Sequence, residues 1–163
     1  MKLEIAKEIA LKYKNTLLPF CERIEIGGSI RREKPEVGDI EIICIPKKEI
    51  NDGINISRGF VDCVEKLTKV KGEPTGKYTQ RMLPEGIALD LFIANKDNWG
   101  FIYAMRTGSA DYFHYKVACR WVSMGYRSSG GVLYKDNIPH YFREEEDLFK
   151  FLNLPFIGPE KRK

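Results

Sequence analysis

Cysteine is scarce in this 163-residue chain, and it is never clustered. Cys21, Cys44, Cys63 and Cys119 are scattered, with no Cys-x-x-Cys pair and no Cys/His group at zinc-ligand spacing. That pattern argues against a zinc ribbon or a disulfide framework, and a reducing, intracellular compartment is expected. Cys44 and Cys119 lie in apolar contexts and read as small core residues. Long apolar runs are missing as well: the sequence offers no membrane span and no signal-peptide pattern. Neither an internal repeat nor a low-complexity tract interrupts the chain. Charge of one sign is in only slight excess, 27 Lys and Arg against 23 Asp and Glu, for a net of +4. Such mild basicity is compatible with nucleic acid and does not require it.

What the sequence does hold is concentrated in one window. Gly27-Gly28-Ser29-Ile30-Arg31-Arg32 is followed by Val37-Gly38-Asp39-Ile40-Glu41-Ile42. The Gly-Gly-Ser turn exposes backbone N–H groups and a hydroxyl. The arginines offer planar forks that match phosphate oxygens, and the two carboxylates can hold a divalent metal. A third, Asp90, interrupts the apolar run Ile87-Ala88-Leu89-Asp90-Leu91-Phe92-Ile93. Period-two alternation puts Asp39 and Glu41 on one face of a strand and Ile40, Ile42 and Cys44 on the other. Leu89, Leu91 and Ile93 lie opposite Asp90 in the same way. If the two strands are neighbours, three carboxylates converge, and they repel one another unless a cation sits between them. Hard oxygen ligands favour Mg²⁺ or Mn²⁺ over zinc. Alone, Asp-x-Glu on a strand describes a solvated face. Its company argues otherwise, because a carboxylate inside an apolar strand is costly to bury without a partner or a metal.

The rest of the chain organises around this window. Residues 2–16 read as an amphipathic helix carrying Ile5, Ile9, Leu11 and Tyr13. Arg23–Ile26 reads as a strand entering the turn, and residues 38–45 as the first acidic strand. Residues 56–70 read as a helix with Phe60, Val64 and Leu67 on one stripe. Gly72 to Gly76 is turn-rich. Gln80–Leu83 and Ile87–Ala94 make a pair of strands across Pro84-Glu85-Gly86. A boundary near residues 96–98 divides residues 1–97 from 98–163. The second part opens on Trp99, Phe101 and Tyr103. Ser109 then suits the N-cap of a helix with Asp111 in its first turn. That helix buries Phe113, Val117, Trp121 and Met124 and stops at Gly125. Short strands of a small antiparallel sheet follow, and Lys161-Arg162-Lys163 reads as a solvated basic end.

Taken together, Gly28-Ser29, Arg31-Arg32 and Gly38-Asp39-Ile40-Glu41 resemble the nucleotidyltransferase superfamily. In detail they resemble the family X, polymerase-beta-like DNA polymerases. Arg106-Thr107-Gly108-Ser109 is similar to the Thr-Gly-Ser that opens that family's thumb helix. Asp147 to Leu152, Pro155-Phe156 and Pro159-Glu160-Lys161-Arg162 resemble its C-terminal end. The likeness runs from about Ile24 to the terminus and is weakest from Asn51 to Thr79. It implies an α/β (α+β) fold: a nucleotidyltransferase palm with a mixed β-sheet flanked by helices, plus a small thumb-like α+β lobe. The implied form is minimal, without the N-terminal modules that grip the 5′ side of a gap.

The implied activity is DNA-directed addition of nucleotides to a primer 3′-hydroxyl, on short gaps, with pyrophosphate release. Asp39, Glu41 and Asp90 would be the catalytic carboxylates and the ligands of two Mg²⁺ ions, with Mn²⁺ possible. Gly28, Ser29, Arg32, Gly38, Arg106, Gly108, Ser109 and His114 would bind the nucleotide. Lys116 and Arg120, on another face of the thumb helix, would meet DNA. The partners implied are DNA and nucleoside triphosphates, the protein being a monomer with no membrane role. Two positions depart from the family pattern. Glu41 stands where the beta-type enzyme has aspartate. Met105-Arg106 stands where many members place an aromatic pair beside the incoming sugar, so weak discrimination against ribonucleotides is expected. Two other classes remain open: a nucleotidyltransferase that is template-independent or uses a small acceptor, and a non-catalytic nucleic-acid binder.

Overall fold

Helix α1 (Leu3–Leu17) turns Ala6, Ile9, Ala10, Tyr13 and Leu17 inward at helical spacing, whereas Ile5 and Leu11, counted among its apolar residues in the sequence, are exposed. It packs on a five-stranded sheet built from β1 (Cys21–Ile26), β2 (Asp39–Pro46), β3 (Thr68–Lys71), β4 (Tyr78–Met82) and β5 (Ala88–Ile93). The strand order is β1-β2-β5-β4-β3. Only the central pair, β2 and β5, runs parallel; the other neighbours are antiparallel. A parallel pair needs a long crossover, and here that crossover includes helix α3 (Arg58–Glu65), strand β3 and strand β4. This computed structural model describes residues 1–49 and 55–163. The chain divides into two units, Met1–Ala94 and Asn95–Lys163.

In the first unit the core lies between the helices and one face of the sheet. Ile40, Ile42 and Cys44 of β2 and Leu89 and Leu91 of β5 meet Ile9, Ala10, Phe60 and Val64 there. The mixed sheet flanked by helices is the fold class expected from the sequence. Because that face is fully used for packing, Asp39, Glu41 and Asp90 are left to share the other.

One tie between helix and sheet is electrostatic. Lys12 donates to Glu85 Oε1 at 2.7 Å and the Tyr13 hydroxyl donates to Oε2 at 3.0 Å, pinning α1 to the β4–β5 turn. The Lys12 hydrogen bond is the main reason the Glu85 carboxyl is held below its ordinary value of 4.5. A depressed carboxyl stabilises the fold above its unfolded pKa, and that contribution disappears as pH falls through the folded pKa. Thermal midpoints of wild type and Glu85→Gln are therefore expected to differ at neutral pH and to converge on acidification. A gap that stays constant into strong acid would show that Glu85 ionisation is not what stabilises this junction.

The second unit begins with α4 (Trp99–Thr107). Gly100 is required there: a Cβ on it would lie 2.2 Å from the Glu144 carbonyl oxygen. Helix α5 (Ala110–Tyr112) continues through a π-helical turn (Phe113–Ala118) into α6 (Cys119–Ser123). Phe113, Val117 and Trp121 recur every four residues, which overruns an α-helical turn. The wider π turn keeps all three in one core with Phe101, Leu133, Leu148 and Phe149. Strands β6 (Arg127–Ser129), β7 (Val132–Lys135) and β8 (Ile138–His140) form a small antiparallel sheet, and α7 (Glu145–Phe151) closes the unit.

Three expectations from the sequence are corrected. The helix expected over residues 56–70 ends at Glu65, and Thr68–Lys71 is an edge strand against β4. Its β-branched residues alternate with lysines and all four are exposed, so a longer helix would have had nothing to bury. Cys119, expected in the core, is exposed, because it lies two residues from both Val117 and Trp121 and so points away from them. Arg162, expected in a solvated end, is 0% exposed and bonds Glu145. Among the described residues no helix is long and apolar enough to cross a membrane.

Candidate active site

The site is assembled on the sheet face that the core leaves free. Strand β1 ends at Ile26, and Gly27 N–H donates to the Glu41 carbonyl at 2.9 Å, which sets the turn beside β2. The chain then coils into the single-turn helix α2 (Gly28–Arg31), with Arg31 N–H and Arg32 N–H donating back to Gly27 and Gly28. The first N–H groups of such a turn have no intrahelical acceptor. The Ser29 hydroxyl in this turn is buried and has no hydrogen-bond partner among the described residues. A buried, unmatched hydroxyl beside free backbone donors is suited to a ligand oxygen.

Gly28 shows why glycine stands at the head of the turn. Its φ is +59°, and a Cβ built there would lie 1.9 Å from Glu41 Oε2. The Glu41 carboxylate therefore rests directly on the glycine. Gly28→Ala is expected to strain the backbone by about 1–2 kcal/mol and to push Glu41 from its position. Urea unfolding reads the first effect and a crystal structure of the variant the second. A variant of wild-type stability with Glu41 unmoved would refute this account of Gly28.

Register brings the carboxylates together. Glu41 of β2 pairs with Asp90 of β5, and Asp39 with Ala88. Asp39 is partly buried and Asp90 is 8% exposed. Burial pushes the Asp39 carboxyl up, and the nearby Asp90 charge pushes it further, against a backbone hydrogen bond and the Arg32 charge. Burial lowers the Arg32 guanidinium, while the charges of Glu41 and then Asp39 hold it protonated. The field of Arg32 thus reaches both acidic residues. Gly38 leaves open space, since an added Cβ would meet nothing within 4 Å.

The carboxylates share a face without closing into one cluster. Among the described residues no group of three His, Cys, Asp or Glu side chains is gathered to hold a metal. The physical reason is visible on each side. Glu41 is drawn onto Gly28 and toward Arg32, while Asp90 Oδ1 accepts from the Tyr78 hydroxyl at 3.0 Å and from Gln80 Nε2 at 2.7 Å. The donor set nonetheless fits a hard divalent cation. It is all oxygen, and Asp39 is raised first by burial and then by the charge of Asp90, a repulsion that a bound cation would relieve. Mg²⁺ commonly takes one or two carboxylates and completes its shell with water and substrate phosphate. Tyr78 and Gln80 were not among the residues picked out from the sequence. Their alternation along β4 was readable there, but their opposition to Asp90 depends on register.

The other candidates lie in the second unit. Arg106 sits in the last turn of α4, and Gly108 caps that helix. Ser109 is the N-cap expected, its Oγ accepting from Tyr112 N–H at 3.1 Å, so its hydroxyl is committed to the helix. His114 is exposed, edge-on to Tyr115 with ring centroids 4.8 Å apart. Lys116 is exposed. Arg120 differs from the expectation of a residue turned to DNA: its Nε donates to the Leu152 carbonyl at 2.9 Å. The carbonyls at the end of α7 lack intrahelical partners and attract a cation there.

No protein-family model matches the chain, and no curated protein matches it. Solved structures do. A ternary P/T complex of polymerase beta from Leishmania infantum is similar over 100% of this chain and 76% of its own, with a TM-score of 0.74 and 17% identity. A ternary gap complex of the same protein matches over 100% of this chain and 70% of its own, with a TM-score of 0.75 and 17% identity. The fold is that of polymerase beta. At this level of identity the likeness is one of fold. The Gly-Ser turn and the acidic strands come from the first unit alone.

Proposed function

We propose that this protein is a nucleotidyltransferase acting as a DNA-directed DNA polymerase on short gaps. The observation that carries the proposal is the placing of Asp39, Asp90, Arg32 and the unmatched Ser29 hydroxyl around one face of the first unit's sheet. Anion-binding groups stand beside paired carboxylates, which is what transfer from a triphosphate requires.

In this reading Ser29 Oγ, the α2 backbone donors and Arg32 hold the β- and γ-phosphates. Asp39, Asp90 and Glu41 would hold divalent cation. Bound Mg²⁺ would acidify the primer 3′-hydroxyl and neutralise charge on the triphosphate. Asp90 accepts the hydroxyl proton. The 3′-oxygen bonds to the α-phosphorus, the bond from that phosphorus to the bridging oxygen breaks, and pyrophosphate departs. In the second unit, exposed Lys116 is a point charge suited to a phosphate backbone, and His114 is free to meet a base.

Primer extension on a one-nucleotide gapped duplex tests the proposal, with Mg²⁺, each deoxynucleotide and ribonucleotide in turn, and Asp90→Ala as control. Templated addition that the control lacks would support it. Addition without regard to template would favour end-adding transfer. No addition to gapped, recessed or single-stranded DNA with either Mg²⁺ or Mn²⁺ would overturn it.

A further inference from the structure

We propose that Tyr78 and Gln80 are positioning residues for Asp90, fixing from the neighbouring strand which of its two oxygens meets the cation and the hydroxyl proton. The inference rests on the proposed function and goes beyond it by adding residues that touch neither substrate nor metal. Both donors belong to one face of β4, and register puts Gln80 opposite Asp90 and Tyr78 opposite Phe92. Both donate to the same atom, Oδ1. A carboxylate oxygen offers about two acceptor sites, so Oδ1 is filled. Among the described residues none donates to Oδ2. The carboxylate cannot rotate without losing two hydrogen bonds in a nearly buried place, so Oδ2 is kept as the working oxygen.

The chemistry of the donors matters as much as their geometry. An amide and a phenol are neutral. An arginine or lysine here would fix the carboxylate equally well but would cancel the charge that attracts a divalent cation and a proton. Neutral donors orient it and leave the charge in place. The phenol is itself held, its ring 5.1 Å from that of Phe92. Residues that orient a metal-binding carboxylate in this way typically carry 10–100-fold in metal affinity or activity.

The test uses the whole protein, with Tyr78→Phe and Gln80→Met made separately so that either folded variant suffices. Mn²⁺ affinity is read by electron paramagnetic resonance without nucleotide, then kcat and KM are measured by single-nucleotide extension. Each variant is expected to bind Mn²⁺ about tenfold more weakly and to lose kcat with the nucleotide KM nearly unchanged. Thr79→Val, on the opposite face of the same strand, controls for loosening of β4. It should lower the thermal midpoint and leave Mn²⁺ affinity as in wild type. Variants that match wild type in Mn²⁺ affinity would overturn the inference and leave the proposed function standing. Weakened Mn²⁺ binding in a protein that transfers no nucleotide would support the inference and overturn that function. A wild-type protein that binds no Mn²⁺ would overturn both.

Discussion

Asp39→Ala is expected to lower nucleotide transfer by on the order of 10³-fold or more while leaving the protein folded and still able to bind duplex DNA. Asp39 stands at the start of β2, beside Asp90 and within the field of Arg32. Its carboxyl is pushed up first by burial and then by the Asp90 charge. In a folded protein without ligand, removing it therefore relieves repulsion, and the thermal midpoint should hold or rise. In the proposed transfer reaction the same removal takes away one of the carboxylates that would hold the cation. The two effects have opposite signs, which makes the variant informative. Single-turnover extension and a thermal melt on one preparation read both. Transfer within tenfold of wild type would move the chemistry off this face, and a large fall in midpoint would mean Asp39 is structural.

The largest effect on stability is expected at Arg162. Its Nη1 donates to Glu145 Oε1 at 2.7 Å, with the guanidinium 0% exposed. The rings of Phe149 and Phe156, packed edge to face, each have a centroid 4.9 Å from the guanidinium carbon. Its Nε donates to the Ile157 carbonyl at 3.0 Å, and its own carbonyl accepts from Ser109 N–H at 2.9 Å. The C-terminal segment is thus tied to the turn that starts α5. Arg162→Ala would remove one partner of a buried ion pair, a loss of about 3–5 kcal/mol. For a unit of this size that lowers the unfolding midpoint by about 10 °C or more. Joint replacement of both charges, Arg162→Met with Glu145→Leu, should recover most of the loss, because buried ion pairs return little net stability over apolar residues of similar volume. A midpoint unchanged in the single variant would contradict the buried pair.

Much of the first unit could be read along the chain. Alternation over residues 39–45 and 87–94 set the apolar residues against the acidic ones, because side-chain direction in extended backbone is a local property. The Gly28 turn and the Ser109 cap were legible for the same reason: each is decided within a few residues by backbone freedom or by a nearby donor. The errors came where local preference is weak. Thr68–Lys71 suits helix or strand, and only the open edge beside β4 made it a strand. The phase of the helix after Ser109 depended on fitting Phe113, Val117 and Trp121 into one core, and the π turn is the result.

By itself, then, the sequence determined which strand residues share a face and where the turns fall, and its family resemblance implied a mixed sheet flanked by helices. Tertiary structure alone decided that β2 and β5 lie side by side, that Gln80 stands opposite Asp90, and that Arg162 is buried on Glu145 rather than solvated. Those pairings join residues between 10 and 49 positions apart. No local pattern specifies them, because strand register and the burial of a charged end are settled by what the rest of the chain packs against them.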